Sequence, residues 1–212
     1  MRVLLTGHKG YIVSVAVPML QAAGHEVVGL DVDLFGGCDF GLPAAEIPEM
    51  RKDLRALAQA DLDGFDAVVH LAALSNDPLG NLDAQRDRGF AGDYLEGMWL
   101  MLQQSAGDDY VLATGKMHTV RDFVSTSATM LGFDIVFEGA GSSERGIDRR
   151  TGRTLIQVDP KFYRPADLNQ LCGNPLKAEQ AMGWTRRTTF PQLVALMVET
   201  DDRRVSNKRL TF

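Results

Sequence analysis

The chain opens on an apolar run, Val3-Leu4-Leu5, that stops at Thr6-Gly7 and gives way after Gly10 to apolar positions at helical spacing. This pattern predicts a strand, a tight turn and a helix from about Tyr11 to Ala23. A second apolar run, Glu26 to Leu30, ends in Asp31, and Val32 to Pro48 reads as a loop rich in glycine, proline and acids. A short strand follows near Met50 to Leu54, then a helix near Ala56 to Asp61 and a strand over Asp66 to His70 that runs into Leu71-Ala72-Ala73. Strands alternating with helical segments predict βα steps and a parallel sheet.

The pattern changes at Leu79-Gly80-Asn81. Beyond it, helical periodicity covers Asp93 to Gln104, Thr119 to about Leu131 with Thr119 as N-cap, Pro175 to Met182, and Phe190 to Asp201. Strands are expected at Tyr110 to Ala113, Asp134 to Phe137 and Thr154 to Val158, with a glycine-rich loop from Gly139 to Gly152. The tail from Asp202 carries basic residues with little periodicity and reads as a frayed terminus.

The first turn carries candidate chemistry. Gly7 lets the backbone turn sharply, and Gly10 removes a side chain where a pyrophosphate would approach the amides and positive end of the helix. The third position of the glycine series is Val13, whose branched side chain obstructs close helix–strand contact. About twenty residues on, Asp31 is placed to accept hydrogen bonds from an adenosine ribose, which favours NAD and repels the extra phosphate of NADP. The small residues after His70 let a dinucleotide lie over the strand's end, or simply pack in the core. Ordinary turn glycines are the plain alternative to the whole constellation.

Composition narrows the function classes. The 212 residues, 45% of them hydrophobic, suit one medium domain or two small ones. A net charge of −6 argues against a nucleic-acid or anionic-membrane surface. Cys38 and Cys172 lack metal-ligand spacing, so a reduced cytoplasmic compartment and no metal are expected. The first strand starts at once and no apolar stretch reaches membrane-spanning length, so neither a signal peptide nor a membrane partner is expected.

The motifs TGHKGYIVS, Asp31, KDLR over residues 52–55 and HLAALS over residues 70–75 resemble the extended short-chain dehydrogenase/reductase family of NAD-dependent epimerases and dehydratases. From Asn81 onward, NLDAQRDRGFAGDYLEGMWLMLQQ, DDYVLATGKMHTVRDF and GIDRRTGRTLIQVDPKFYRPADLNQLCGNPLKAEQAMGW resemble the C-terminal part of the GDP-mannose 4,6-dehydratases. The resemblance implies an α/β fold, a shortened Rossmann-like parallel sheet with helices on both faces, plus a small α/β substrate-binding region. It divides the chain into a dinucleotide-binding half, 1–80, and a nucleotide-sugar-binding region, 81–212. It places Gly7, Gly10, Tyr11, Ile12, Asp31, Asp53, Leu54, Leu71, Ala72 and Ala73 at NAD, or at NADP as the dehydratases use it.

By the same resemblance Arg86 and Arg164 hold the diphosphate of a GDP-sugar such as GDP-mannose, and Asp167 accepts from its ribose. A surface salt bridge is the plain alternative for either arginine. Asp167 replaces a usual glutamate, Asn169 a usual acid and Arg88 a tryptophan, while Arg121 reads as structural. The implied partners also include a second copy or a full-length relative.

Oxidation of the sugar at C4 requires, by this resemblance, a tyrosine base with a lysine four positions later. The tyrosines are Tyr11, Tyr94, Tyr110 and Tyr163, and the residues four positions on are Val15, Met98, Thr114 and Asp167. No catalytic residue is therefore nominated. A chain shortened in this way is expected to leave the His70 strand with an open apolar edge, and to self-associate.

Overall fold

The computed structural model describes residues 1–10, 12–34, 46–72, 80–161 and 170–206. They fall into two compact units, residues 1–75 with 98–105 and residues 76–97 with 106–212.

The first unit is a parallel sheet built around β1 (Arg2–Thr6), followed by α1 (Val13–Ala22), β2 (Glu26–Asp31), β3 (Glu49–Arg51) and β4 (Ala67–His70). Among the described residues the strand order is β3-β2-β1-β4, so β1 lies inside the sheet. Val3, Leu4 and Leu5 are fully buried, which is why β1 reads as an unbroken apolar run rather than an alternating one. The helix starts at Val13, with Ile12 as its N-cap, and buries Val13, Ala16, Val17 and Leu20 on one face. Residues 56–61 form no α-helix. Asp53 accepts from Arg55 N at 2.8 Å and opens a 3-10 turn over Leu54–Ala56, and a second turn spans Gln59–Asp61. Local side-chain bonds satisfy the backbone here before a longer helix can nucleate.

The second unit contains β5 (Gln85–Asp87), most of α2 (Ala91–Leu102), β6 (Met117–Thr119), α3 (Val120–Met130), β7 (Ile135–Glu138), β8 (Arg145–Asp148), β9 (Thr154–Gln157), β10 (Gln170–Leu171), α4 (Leu176–Met182) and α5 (Phe190–Ser206). One sheet has the order β10-β5-β6 and the other β7-β8-β9. Thr119 caps α3 reciprocally: its hydroxyl accepts from Asp122 N at 2.9 Å while the Asp122 carboxylate accepts from Thr119 N at 2.9 Å. Trp184, buried, donates its indole N–H to Asp93 O at 2.8 Å, and the Asp93 carboxylate accepts from the amides of Arg187 and Thr188.

Three expectations fail in this unit. Residues 110–113 are not a strand: Leu112 instead packs where a Cβ on Gly97 would come within 2.7 Å, and the next-but-one residue, Thr114, donates its amide to the Asp87 side chain. The stretch 139–152 is not simply a loop, because β8 lies within it. Gly146 hides that strand from a pattern reading, yet it is what lets Ile135 and Ile156 approach, each within 3 Å of where a Cβ would stand. Finally, α5 runs on to Ser206, beyond the expected end at Asp201. Among the described residues no helix is long and apolar enough to cross a membrane.

Candidate functional site

The glycine turn sits where the carboxyl ends of β1, β2 and β4 meet. Gly7 has φ +73°, and a Cβ there would stand 2.7 Å from Ala72 N and 2.9 Å from Leu71 C. Both the left-handed backbone and the close approach of the chain leaving β4 therefore require glycine. Gly10 closes the turn by donating to Gly7 O at 2.9 Å. The helix that follows has no side-chain cap on Ile12 and no acid in its first turn, so no carboxylate opposes an anion at its positive end, although the Val13 and Val15 amides already donate to Gly10 O at 3.3 Å and Ile12 O at 3.2 Å. Val13 is buried, so the branched side chain at the third glycine position is accommodated in the core.

Asp31 ends β2 and its carboxylate ties the turn down, accepting from Lys9 N at 3.0 Å and from Asp33 N at 2.8 Å. Around it lies a group of side chains that the glycine spacing does not reveal. The Lys9 ammonium bridges Asp33 and Glu49, each at 3.2 Å, and the buried His8 ring meets Glu49 through Nε2 at 2.8 Å. Hydrogen bonding from His8, then Lys9, lowers the Glu49 pKa, while Glu49 and Asp33 raise that of Lys9. His8 rests against Gly29, where any Cβ would overlap the ring. The turn is thus pinned to β2 and β3 together.

At the end of β1, Thr6 Oγ1 meets His70 Nδ1 at 2.6 Å and accepts from Ala72 N at 3.3 Å. These contacts fix the course of Leu71 and Ala72 over the strand ends. Asp53 lies farther along, with both carboxylate oxygens bonded to Arg55, which lowers its pKa to about 2. Leu54, beside it, is half-buried. Tyr11 and Ala73 lie outside the described residues.

In the second unit Arg86 sits on β5, opposite His118 of β6 on one side and Leu171 of β10 on the other. Its guanidinium donates to Gln85 O at 2.9 Å. Arg164 and Asp167 lie outside the described residues, in the segment that leads into β10. Arg121 is held by Asp83 at 2.8 Å and by the buried Glu144 at 2.6 Å, with its guanidinium over the Phe137 ring, which is the structural role expected for it. Tyr94, on α2, has its pKa pushed up to about 12 by burial and by the carboxylates of Asp87 and Asp93. That direction is opposite to what a tyrosine base needs. Among the described residues no group of three metal-ligating side chains comes together.

Comparison with known proteins gives two family matches, which overlap over residues 66–79. The family model for the NAD dependent epimerase/dehydratase family matches residues 3–79, and that for GDP-mannose 4,6 dehydratase matches residues 66–197. The chain is 46% identical over 151 residues to a GDP-mannose 4,6-dehydratase of Sinorhizobium fredii, covering 71% of this chain and 40% of that protein. It is 45% identical over 135 residues to the human GDP-mannose 4,6 dehydratase, covering 64% of this chain and 36% of that one. The match thus spans well under half the length of these relatives. Among solved structures, the UDP-glucose 4-epimerase of Thermus thermophilus in complex with NAD superposes with a TM-score of 0.67 at 18% identity, over 94% of this chain and 98% of that one. An NAD-dependent NDP-hexosamine 5,6-dehydratase of tunicamycin biosynthesis gives 0.71 at 12% identity, over 96% and 98%. The likeness to both is one of fold, a parallel sheet with helices. With the dehydratase model matching residues 66–197, the chain belongs to the GDP-mannose 4,6-dehydratase family of NAD-dependent epimerases and dehydratases.

Proposed function

We propose that the chain binds NAD in its first unit and a GDP-sugar such as GDP-mannose within residues 81–212, and that it holds the sugar without converting it. The observation that carries this reading is the Gly7 turn at the strand ends, where a left-handed backbone and the close approach of Leu71 and Ala72 both require glycine. Gly10 leaves room for the pyrophosphate of a dinucleotide, the positive end of α1 attracts the phosphate oxygens, and Asp31 accepts from the adenosine ribose. The proposed contacts of the dinucleotide also include Leu71, Ala72, Ala73, Tyr11, Ile12, Asp53 and Leu54. Bound NAD supplies a hydride acceptor.

The acids around the ribose end favour NAD over NADP. Asp31, Asp33 and Glu49 outnumber Lys9 and Arg51, the cations beside them, so a further phosphate meets net negative charge. Arg86 and Arg164 supply guanidinium groups for the diphosphate, and Asp167 an acceptor for the ribose. Conversion of the sugar lacks its base: no tyrosine in the chain precedes a lysine by four positions, and burial keeps Tyr94 protonated.

A second reading, a shortened subunit that joins a full-length relative and borrows its tyrosine and lysine, is favoured by the share of those relatives that the chain spans. Calorimetric titration separates the parts of the proposal. NAD is expected to bind more tightly than NADP, GDP to bind saturably, and Arg164→Ala to weaken GDP more than Arg121→Ala does. Absence of any NAD binding to the intact chain would sink the cofactor assignment, and equal, negligible effects of the two arginine variants would remove the sugar-nucleotide assignment.

A further inference from the structure

The charges around Asp31 are each held in place by a separate device. Gly29 lies opposite Glu49 in the register of β2 and β3, and its missing side chain leaves the place that the buried His8 ring fills. Ring and carboxylate therefore meet, His8 Nε2 on Glu49 Oε2 at 2.8 Å. Asp33 stands at φ +61°, a left-handed conformation that aspartate tolerates better than most side chains, and its amide donates to Asp31 Oδ1 at 2.8 Å. Lys9 donates its own amide to the other oxygen of Asp31 at 3.0 Å. Its ammonium lies between the two further acids, 3.2 Å from Asp33 Oδ2 and 3.2 Å from Glu49 Oε2. Glu49 is thus anchored by a histidine, and it holds the lysine that flanks the carboxylate assigned to the adenosine ribose.

Resting on the NAD assignment above, we propose that Glu49 decides between NAD and NADP by keeping the Lys9 ammonium occupied. The excess of acids disfavours a further phosphate by net charge; Lys9 is, in addition, a latent phosphate-binding group. A phosphate on the adenosine ribose carries about two negative charges. It arrives beside Asp31, next to a lysine whose backbone shares that carboxylate, and an ammonium with its rotatable donors is a fit partner for it. While Glu49 is ionised, the ammonium already has two carboxylates, and the phosphate must displace one of them in the face of both. Without the Glu49 charge the ammonium keeps Asp33 and turns more readily to the phosphate. The bond from His8 keeps Glu49 from following the lysine. NAD carries a hydroxyl at that position, needs no cation there and gains nothing from the release.

Calorimetric titration of the full chain with NAD and with NADP tests this in a double-mutant cycle of the natural chain, Glu49→Gln, Lys9→Gln and the two combined. Glu49→Gln keeps a polar side chain against His8 but loses the charge that holds Lys9. Its affinity for NADP is expected to rise about tenfold, the size of one charge-assisted hydrogen bond, while its affinity for NAD does not rise. Lys9→Gln is expected to remove that gain in the Glu49→Gln background and to change NADP binding of the natural chain little. If Glu49 acted only as a repelling charge, Lys9→Gln would cost the same in both backgrounds. Asp33→Asn keeps the amide bond to Asp31 and releases Lys9 from its other side, so the same cycle built on Asp33→Asn decides the matter if Glu49→Gln fails to fold. In a chain that binds NAD, an unmoved NADP affinity or equal costs of Lys9→Gln overturn the role of Glu49 and leave the NAD assignment standing. A chain that binds neither cofactor, with or without the substitutions, overturns both.

Discussion

The two units place their candidate binding groups by different means. In the first, the groups that would meet a ligand are mostly backbone: the Gly7 turn, the positive end of α1 and the chain at Leu71 and Ala72, all fixed by neighbouring strand ends. In the second they are side chains, and the strand that carries Arg86 is assembled from distant pieces, with β10 pairing 85 residues away from β5. Asp87, next to Arg86, accepts from Thr114 N and Oγ1, Gly115 N and Gly173 N, so its carboxylate holds the unit together. A backbone site depends on a few glycines, whereas a side-chain site depends on the packing of its whole unit.

The largest effect expected is that of Gly7→Ala. A left-handed residue other than glycine costs about 1–3 kcal/mol, and here the added Cβ also overlaps Ala72 N. Urea unfolding should show that loss, and thermal stabilisation by NAD should vanish. Next is Asp87→Ala, which leaves several donors of the second unit unsatisfied at a cost of roughly 1–3 kcal/mol. Its unfolding should come earlier in urea while NAD titration is little changed. If Asp87→Ala abolished NAD binding as fully as Gly7→Ala does, the contrast between the units would break.

Smaller effects sharpen the first unit. Asp31→Ala removes the ribose acceptor and should weaken NAD about tenfold, near 1.4 kcal/mol, with less effect on NADP, so the ratio of the two affinities is the quantity to measure. Smallest is the pH dependence of the Glu49 tie. Its pKa lies below the ordinary value of 4.5, so the tie to His8 and Lys9 is intact above that value and is lost as pH falls through the lowered pKa. Lys9, with its pKa raised, keeps its part of the tie until pH rises beyond the ordinary lysine range. The acid loss of NAD affinity should disappear in Glu49→Gln, which is read by titrating NAD across the acid range.

The same contrast explains what the sequence makes legible. The strand, glycine turn, helix, strand and acid of the first unit occupy one short stretch, so spacing alone reveals them, and Thr119 with Asp122 is readable as a cap for the same reason. The His8–Glu49 contact joins residues 41 positions apart, and nothing in the glycine motif anticipates it. β8 is obscured by Gly146, and residues 110–113 have strand-like composition but gain their place by packing against α2. Short strands such as β5 and β10 exist only because distant segments pair, and a local pattern carries no signal of that.

The central claim is that this chain binds its ligands and does not convert them. Incubating the purified full chain with GDP-mannose and NAD, or NADP, while following keto-sugar formation together with thermal stabilisation, tests it most directly. Stabilisation by NAD with no keto-sugar is the predicted result; sustained formation of a 4-keto-sugar by this chain alone would contradict it.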